Sequence, residues 1–331
     1  MYLHNSQRKP GYILVLLMAL AVLAAACGQG NEPKKSAAAP SPSQTRKVVD
    51  DLNREVEVPL APERIVAGEF AAELLTLGIK PIASGDNGFK VVYTLEEMEG
   101  VERIGDPPNP EKILELDPDL VVAPTVFLEI YPEQMERISK IAPVYYLSFD
   151  QDPIYGIYVK LAELVGKSDK AEAWIADYER EAELARERLS AAIGKETVSI
   201  FRVERGRMRI YLNRNFAGYM LHSSLKLPAP EAVAAEIEKN PNSSAVQISM
   251  EKLPEYAGDH LFIIVRGEGD DKQAFEEIRE SGLWSSLDAV KKGHIHFLDT
   301  DKYYGSDIVT ILETMKEAVD MLAPADFGKG N

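Results

Sequence analysis

The middle of the chain carries one long helical pattern, at residues 168–194, which reads SDKAEAWIADYEREAELARERLSAAIG. Strong helix formers fill most of its positions, and no Pro or Gly interrupts it before Gly194. With Ser168 as the N-cap and Gly194 as the left-handed terminating residue, we predict one helix over residues 168–193. A rod of about 35–40 Å has the width of a small domain, so we expect a spine between two lobes. Its apolar residues recur at helical spacing, at Ala171, Trp174, Ile175, Tyr178, Ala182, Ala185, Leu189 and Ile193.

Short strands alternate with helices on both sides of this spine, which is typical of α/β lobes. The strands predicted in the first half are a hairpin at 48–59, then 65–67, an edge strand at 79–83 that contains Pro81, 120–123 and 144–147. The strands predicted in the second half are 198–203, 208–212, 260–265 and 295–298, before a closing helix at 307–322. We therefore predict an α/β fold of two Rossmann-like lobes with mainly parallel sheets. The N-terminal lobe would span 48–150, the linker region with its spine 151–194, and the C-terminal lobe 195–331.

The N-terminus has the pattern of a targeting segment. Arg8 and Lys9 precede an apolar run at 11–23, and three alanines lead into Cys27, the only cysteine of the chain. This run falls short of the ~20 apolar residues that a membrane span needs. Small residues directly before a cysteine resemble a bacterial lipobox, which implies a signal peptide at 1–26 and a lipid on Cys27. A stretch rich in Pro, Ser, Gly and Ala then predicts a flexible tether at 27–47.

The charge of the chain excludes one class of partner. The 331 residues carry a formal net charge of −16, and the predicted signal peptide contributes only positive charge to that balance. Contacts to phosphates need clustered Lys and Arg, so a nucleic-acid partner is not expected. The apolar content of 45% is ordinary for a globular protein and is enough for real cores.

Two segments, one in each predicted lobe, match at a constant separation of 140 residues. EKILELDPDLVVA at 111–123 and EKLPEYAGDHLFI at 251–263 share an initial Glu-Lys, a Glu four places later, an Asp eight places later and a hydrophobic strand. An acid in the first turn of a helix is explained by the helix dipole alone, at ~0.3–1 kcal/mol. Alternatively, Glu111 and Glu251 lie at the tips of the two lobes and each bind an arginine pocket of a symmetric partner. The spacing alone does not choose between these explanations.

Several motifs together resemble the iron-siderophore branch of the ABC-transporter substrate-binding lipoproteins, in which one helix joins two lobes. They are the segment before Cys27, PLAPERIV at 59–66, PEKILELDPDLVVA at 110–123, the mid-chain helix, and LWSSLDAVKKGHIHFLD at 283–299. The resemblance implies a monomeric, non-enzymatic receptor, anchored by lipid at the extracytoplasmic face of a Gram-positive cell membrane. It would capture a ferric siderophore, with a hydroxamate favoured, and would bind iron only through that ligand. Glu111 and Glu251 would contact an ABC permease dimer that carries a cytoplasmic ATPase.

Other ligands and roles stay open at this point. Cobalamin and haem receptors share most of these motifs, so either molecule is an alternative ligand. A lipoprotein that only interacts with other proteins, without transport, is a third interpretation.

Loops from both lobes are expected to face the cleft between them. The candidate ligand contacts of the N-terminal lobe are Phe70, Tyr93, Phe127 and Tyr131, and those of the C-terminal lobe are Arg202, Arg205, Tyr211, Tyr303 and Tyr304. Arg202 lies near the end of a strand, where its guanidinium would hydrogen-bond the oxygens around a ferric ion. A solvated basic hairpin is the alternative explanation for the neighbouring arginines. Of the adjacent tyrosines, we expect one to stack on the ligand and the other to pack in the core.

The sequence predicts neither a bare-metal site nor an enzyme. Its histidines are His4, His222, His260, His294 and His296. His294 and His296 alternate on one predicted strand, but no third ligand follows at metal spacing, so we interpret them as strand-end histidines. Nucleophile-elbow, Walker and dinucleotide-binding motifs are absent from the sequence.

Overall fold

The computed structural model describes residues 44–150, 155–214, 217–241, 243–267, 269–303 and 305–324. The predicted signal peptide, Cys27, nearly all of the predicted tether and Tyr304 lie outside the described residues. Across the described part of the chain, no helix combines the length and the apolar content needed to cross a bilayer.

A two-stranded antiparallel hairpin opens the described chain. It consists of β1 (Thr45–Val49) and β2 (Glu55–Pro59). Arg46 fastens it to the body, since its guanidinium donates to the backbone carbonyl oxygens of Glu163 and Leu164. β1 thus includes the last residues of the segment predicted as tether.

The N-terminal lobe is built on a five-stranded sheet of order β5-β4-β3-β6-β7, in which every pair is parallel. Its strands are β3 (Ile65–Val66), β4 (Ala83–Ser84), β5 (Glu102–Arg103), β6 (Leu120–Pro124) and β7 (Val144–Leu147). Its helices are α1 (Ala71–Thr76), α2 (Pro110–Leu116), α3 (Phe127–Ile130), α4 (Pro132–Ile138) and α5 (Gly156–Leu164), with 3₁₀ turns at Asp86–Lys90 and Val92–Thr94. Two buried apolar clusters cover its two faces, as a parallel sheet requires.

The prediction of an edge strand at 79–83 is wrong. β4 begins at Ala83, beyond Pro81, and pairs with β3 on one side and β5 on the other. Pro81 thus takes no place in the ladder and does not confine the strand to the edge. The edge strand on that side is β5, which escapes prediction because Glu102 and Arg103 are both exposed and charged.

The C-terminal lobe has a five-stranded sheet of order β10-β9-β8-β11-β12. Here β11 is parallel to β8 and β12, whereas β9 is antiparallel to β8 and β10. Its strands are β8 (Val198–Glu204), β9 (Arg207–Tyr211), β10 (Ala245–Gln247), β11 (His260–Val265) and β12 (Ile295–Phe297). The spine is α6 (Ser168–Ala192), and the helices that follow it are α7 (Glu231–Lys239), α8 (Leu253–Tyr256), α9 (Asp271–Glu280), α10 (Gly282–Ser286), α11 (Asp288–Lys292) and α12 (Ile308–Leu322). A π-helix at Tyr219–Ser224 and a 3₁₀ turn at Met250–Lys252 complete the lobe.

The predicted fold class is confirmed, with the spine α6 (Ser168–Ala192) between two α/β lobes. Ala171, near its start, packs in the N-terminal core, whereas Tyr178 and later residues pack in the C-terminal core. Trp174 touches both cores and stacks on Tyr178, with ring centroids 5.3 Å apart. The predicted Ser168 cap is wrong, because the helix already includes Ser168 and follows Lys167 with no side-chain cap.

The last helix, α12, packs against both lobes. Ile308 at its start is buried in the N-terminal core, whereas Ile311 and Met315 are buried in the C-terminal core. The carboxyl group of Glu73, from α1, accepts a hydrogen bond from the backbone N–H of Ile308. A residue of the N-terminal lobe thus helps to satisfy the start of this helix. α12 therefore contacts the cores of both lobes.

The sequence repeat is also a structural repeat. In the N-terminal lobe the carboxylate of Asp119 accepts hydrogen bonds from the backbone N–H groups of Glu63 and Arg64, just before β3. In the C-terminal lobe the carboxylate of Asp259 accepts from the backbone N–H and the hydroxyl of Thr197, just before β8. The Asp eight places after each repeated Glu therefore holds the start of the neighbouring parallel strand.

Candidate functional site

A cavity of about 160 Å³, which we call the interlobe cavity, lies where the N-terminal lobe meets the start of α12. Its N-terminal wall follows the carboxyl ends of β3, β4 and β7, which is where open α/β sheets bind ligands. Its other wall is the turn that leads into α12. The residues that line it are Glu69, Phe70, Glu73, Asn87, Val91, Phe149, Ile157, Gly305, Ser306 and Asp307.

Glu69 reaches this cavity because the chain turns sharply after β3. Gly68 has φ +54°, and a Cβ atom there would lie 2.4 Å from the carbonyl oxygen of Val122. Gly85 leaves room in the same way, since its Cβ would lie 2.3 Å from Oε1 of Glu69. Burial raises the pKa of Glu69 to about 7, against the lowering effect of a hydrogen bond with Asn87. The cavity thus holds a carboxyl group that changes charge near neutral pH.

Two further acidic residues, Glu73 and Asp307, line the same cavity and lie close to each other. Asp307 is the N-cap of α12, and its carboxylate accepts hydrogen bonds from the backbone N–H groups of Val309 and Thr310. Glu73 approaches it from α1. Burial raises the pKa of both carboxyl groups, and the charge of Asp307 raises that of Glu73 further. Their mutual repulsion favours a protonated carboxyl group at this junction.

The predicted aromatic contacts of the N-terminal lobe divide into two places. Phe70 lines the interlobe cavity and packs against Phe149, with ring centroids 5.5 Å apart. Phe127, the first residue of α3, and Tyr131, which follows that helix, form an edge-to-face pair with ring centroids 5.3 Å apart. The Tyr131 hydroxyl donates to Asp106, which raises the pKa of the phenol. Phe127 and Tyr131 are not among the residues that line the cavity.

Tyr93 and Tyr303 lie against α12 rather than in the cavity. The Tyr303 hydroxyl donates to Oε2 of Glu317 at 3.1 Å, and the ring is buried in the C-terminal core. Burial, and then the charge of Glu317, raise the pKa of both phenols. Tyr303 therefore packs in the core, and the adjacent Tyr304 lies outside the described residues.

The predicted arginine site of the C-terminal lobe is a buried ion cluster. Arg202 is only 1% exposed, and its Nη2 lies 3.2 Å from Oε1 of Glu204. Arg266 donates to the same oxygen at 2.7 Å. The guanidinium of Arg202 also lies 5.5 Å from the ring centre of Tyr211. Arg205 is instead exposed at the hairpin tip, so the structure brings Arg202 and Tyr211 together but not Arg205.

The repeated glutamates lie at exposed helix starts. Glu111 is in the first turn of α2 and forms an ion pair with Arg137, which lowers its pKa. Glu251 is in the 3₁₀ turn before α8, where a hydrogen bond from Ser249 lowers its pKa. Both carboxylates are therefore ionised and open to a partner.

Sequence reasoning missed Glu73 and Phe149 in the cavity lining. Phe149 follows a predicted strand, so its position at a carboxyl end was a usable signal. Glu73 gave no such signal, because an acid in a short helix is ordinary on a solvated face. Its burial depends on α12, which packs over it from the other end of the chain.

A family model described as periplasmic binding protein matches residues 71–302 of the chain. The chain is 31% identical over 310 residues to the iron(3+)-hydroxamate-binding protein FhuD of Bacillus subtilis (strain 168), covering 92% of this chain and 94% of that protein.

Solved structures show the same architecture. A FhuD fold-family component of a Fep/Fec-like ferrichrome ABC transporter from Bacillus subtilis matches with a TM-score of 0.72 and 28% identity, over 84% of this chain and 100% of that chain. FhuD2 from Staphylococcus aureus with bound ferrioxamine B matches with a TM-score of 0.68 and 22% identity, over 79% of this chain and 98% of that chain, which is a likeness of fold. The extent of the family match and the identity to FhuD lead to one conclusion: the chain belongs to the periplasmic binding protein family.

Proposed function

We propose that this protein is the substrate-binding component of an ABC importer and captures a ferric siderophore in the interlobe cavity. The observation that carries the proposal is the position of this cavity, at the carboxyl ends of three parallel strands and against the turn before α12. One ligand placed there touches the N-terminal lobe and the helix that packs on both lobes. The 31% identity to an iron(3+)-hydroxamate-binding protein supports the same class of ligand.

The charge of the lining favours a hydroxamate complex. Glu69, Glu73 and Asp307 are acidic, and the described lining residues include no Lys or Arg. Three hydroxamates neutralise the charge of a ferric ion, whereas three catecholates leave a complex of charge −3. An acidic, partly buried wall repels the anionic complex and tolerates the neutral one. The arginines of the C-terminal hairpin, which would suit an anion, are paired with Glu204 or exposed.

Binding requires the lobes to separate slightly. A cavity of about 160 Å³ is smaller than the ~300–1,000 Å³ of typical ligand pockets. The spine is continuous from Ser168 to Ala192, and bending it would break backbone hydrogen bonds. α12 and the ion pair between Asp150 and Arg214, at 3.9 Å, also bridge the lobes. We therefore expect a small opening rather than a wide hinge closure.

Intrinsic fluorescence tests the ligand class, because Trp174 lies where the two cores meet. The panel consists of ferrioxamine B, ferrichrome, a ferric catecholate, ferric citrate, haem and cobalamin, with iron-free desferrioxamine as the control. We expect saturable quenching by the ferric hydroxamates and at least tenfold weaker binding of the anionic complexes. Tightest binding of a catecholate would overturn the hydroxamate assignment, and no quenching by any compound would overturn the transport role.

A pair of exposed phenylalanines tests whether the interlobe cavity is the ligand site. Phe149 lines the cavity and is 45% exposed, whereas Phe297 on β12 is 57% exposed and is not a lining residue. Phe149→Ala should weaken ferrioxamine B binding by up to about tenfold, the effect of losing one aromatic contact. Phe297→Ala should leave it unchanged. Equal effects of both substitutions would place the ligand elsewhere.

Glu111 and Glu251 are proposed as the contacts to the permease. Each is an ionised carboxylate at an exposed helix start, in matching places of the two lobes, which suits two arginine pockets of a symmetric partner. Replacing both by Arg should abolish uptake of ferrioxamine B by cells, while its affinity for the purified protein stays the same. Glu187→Arg, an exposed site on the spine, is the matched control. A loss of affinity that parallels the loss of uptake would refute the docking role.

Cys27 is proposed as the lipid anchor that holds the protein at the extracytoplasmic face of the membrane. Cys27→Ala should leave the protein unlipidated, so a globomycin-sensitive shift in its mobility would disappear. A lipid signal that persists in this variant would refute the assignment.

A further inference from the structure

Three histidines and a glutamate meet at one edge of the C-terminal sheet. Glu196 lies two residues before β8, His260 is the first residue of β11, and His294 lies directly before β12. His296 follows on β12, so we call these four residues the histidine cluster. They occupy the amino ends of three adjacent parallel strands, whereas the interlobe cavity adjoins carboxyl ends in the other lobe.

Three members of the cluster converge on one point. Glu196, His260 and His294 each offer a ligand atom, and these atoms all lie within 4.8 Å of one another. Nε2 of His260 lies 2.7 Å from Oε2 of Glu196, and the rings of His260 and His294 are parallel with centroids 4.4 Å apart. Ligands at 2.0–2.1 Å from a tetrahedral Zn²⁺ are separated by about 3.4 Å, so the three groups must move closer and one of the stacked rings must rotate to direct its nitrogen at a shared ion.

Both imidazoles have the supporting partners that metal-binding histidines need. Nδ1 of His294 lies 3.2 Å from the carbonyl oxygen of Asp259, so it carries the proton and leaves Nε2 for a metal. Nδ1 of His260 lies 3.2 Å from Nε2 of His296. When a metal takes Nε2 of His260, the proton of this ring moves to Nδ1 and is donated to His296. These contacts at Nδ1 leave Nε2 as the metal-binding atom of each ring.

The repeat shows that the fold itself does not demand these histidines, although Glu196 has a counterpart in Glu63. Matching the strand registers of the two lobes aligns Val198 with Ile65, His260 with Leu120 and Ile295 with Val144. The counterparts of His260, His294 and His296 in the N-terminal lobe are thus Leu120, Pro143 and Tyr145. The N-terminal lobe therefore forms the corresponding edge of its sheet without imidazole side chains.

We propose that the histidine cluster is a transition-metal site that binds Zn²⁺ through Glu196, His260 and His294, with water in the remaining position. Imidazole and carboxylate donors suit Zn²⁺, and the site is separate from the cavity proposed for the ferric complex. Glu196 and His294 are partly exposed, so an ion reaches the site directly from solvent. The bound ion ties together the starts of three strands and stabilises the C-terminal lobe.

Isothermal titration of the chelator-treated protein with Zn²⁺ alone tests the proposal. We expect one ion per chain and a rise in the melting temperature on adding Zn²⁺. His294→Ala and Glu196→Gln should each weaken this binding at least tenfold and reduce the rise. Both side chains are partly exposed, so these variants should still fold, whereas His260→Ala removes a buried ring. Glu187→Gln on the spine is the matched control and should bind Zn²⁺ like the wild type.

Ferrioxamine B titration separates this site from the proposed function. His294→Ala should lose Zn²⁺ binding, whereas its response to ferrioxamine B should equal that of the wild type. This expectation holds even if the wild type does not bind ferrioxamine B, because only the variant and the wild type are compared. Absence of stoichiometric Zn²⁺ binding to the wild type would overturn the proposal. Zn²⁺ binding that is unchanged in both His294→Ala and Glu196→Gln would also overturn it, because the ion would then bind elsewhere on the chain.

Discussion

The two lobes share the pairing register of three parallel strands and differ in the length of the first of these strands. β3, β6 and β7 pair in the same register as β8, β11 and β12. β3 stops after Val66, whereas β8 continues to Glu204. Four residues after the matched strand starts, the N-terminal lobe has Glu69 and the C-terminal lobe has Arg202. The early stop aims Glu69 into the cavity, and the longer strand keeps Arg202 buried in its sheet.

A glycine lies where the two chains diverge. The position of Gly68 in the N-terminal lobe corresponds to Phe201 in the C-terminal lobe. Gly68 takes a left-handed conformation against the Val122 carbonyl, which a residue with a side chain cannot do without strain. The N-terminal chain then crosses over through α1 to the parallel β4, whereas β8 returns directly as an antiparallel hairpin through Arg205 and Gly206. The comparison shows how the same strand arrangement yields a cavity wall in one lobe and a continuous sheet in the other.

The largest effect is expected at Gly68. Gly68→Ala adds both a left-handed strain and a Cβ atom at 2.4 Å from the Val122 oxygen, so we expect a loss of roughly 3 kcal/mol or more in the free energy of unfolding. Gly206→Ala is the matched variant, because its φ is +67° with no atom within 4 Å of the new Cβ. It should lose only about 1–2 kcal/mol. Urea denaturation measures both, and equal losses would refute the role given to the close approach.

Substitutions of Glu69 and of its counterpart Arg202 should change the free energy of unfolding with different dependences on pH. Because the pKa of Glu69 is raised from 4.5 to about 7, the folded state favours its protonated form, and wild-type stability falls as pH rises through this range. Glu69→Gln removes this loss and should be more stable than the wild type at pH 8, by up to about 3 kcal/mol, but not at pH 4.5.

Arg202→Gln provides the contrast, because an arginine keeps its charge over this range. It should destabilise the protein by about 3 kcal/mol at pH 5 and at pH 8 alike, since it leaves Glu204 with one partner fewer. Urea denaturation at the two pH values checks both variants. A Glu69→Gln variant whose advantage does not grow with pH would contradict the assigned pKa.

A smaller effect is expected at the matched aspartates. Asp119→Ala and Asp259→Ala each remove a carboxylate that accepts hydrogen bonds at a strand start, at a cost of about 1–2 kcal/mol. Because the residues lie in different lobes, the double variant should show the sum within about 0.5 kcal/mol. Marked non-additivity in urea denaturation would show that the lobes do not behave as equivalent, independent frames.

The smallest effect distinguishes the two proposed permease contacts. Glu111 is paired with Arg137, and a docking arginine must displace that partner. Arg137→Gln should therefore raise uptake, or the affinity for the permease, by no more than about fivefold, as expected for an exposed ion pair. Lys252→Gln, beside Glu251, is the matched control and should have no such effect, because Lys252 pairs with Glu255 instead. Reduced uptake by Arg137→Gln would mean that the ion pair itself positions Glu111.

Local patterns in the sequence were enough to predict the spine, the two α/β lobes, the opening hairpin and the matched segments at 111 and 251. The periodicity of apolar residues indicates which face of a helix or strand is buried, and capping residues indicate where a helix ends. These elements can be predicted because both signals lie in residues that are close together in the sequence. The same reasoning misplaced β4, since it read Pro81 as part of a strand that begins two residues later.

Only the tertiary structure decided which side chains share a site. Glu73 and Asp307 meet because α12 returns to the N-terminal lobe, and no spacing in the sequence encodes that return. Glu196, His260 and His294 meet because β8, β11 and β12 start at one edge, although the sequence shows only two histidines on one strand. Burial then set the raised pKa of Glu69. Periodicity fixes the local direction of a side chain, whereas contacts between distant segments and their solvation follow from how the elements pack.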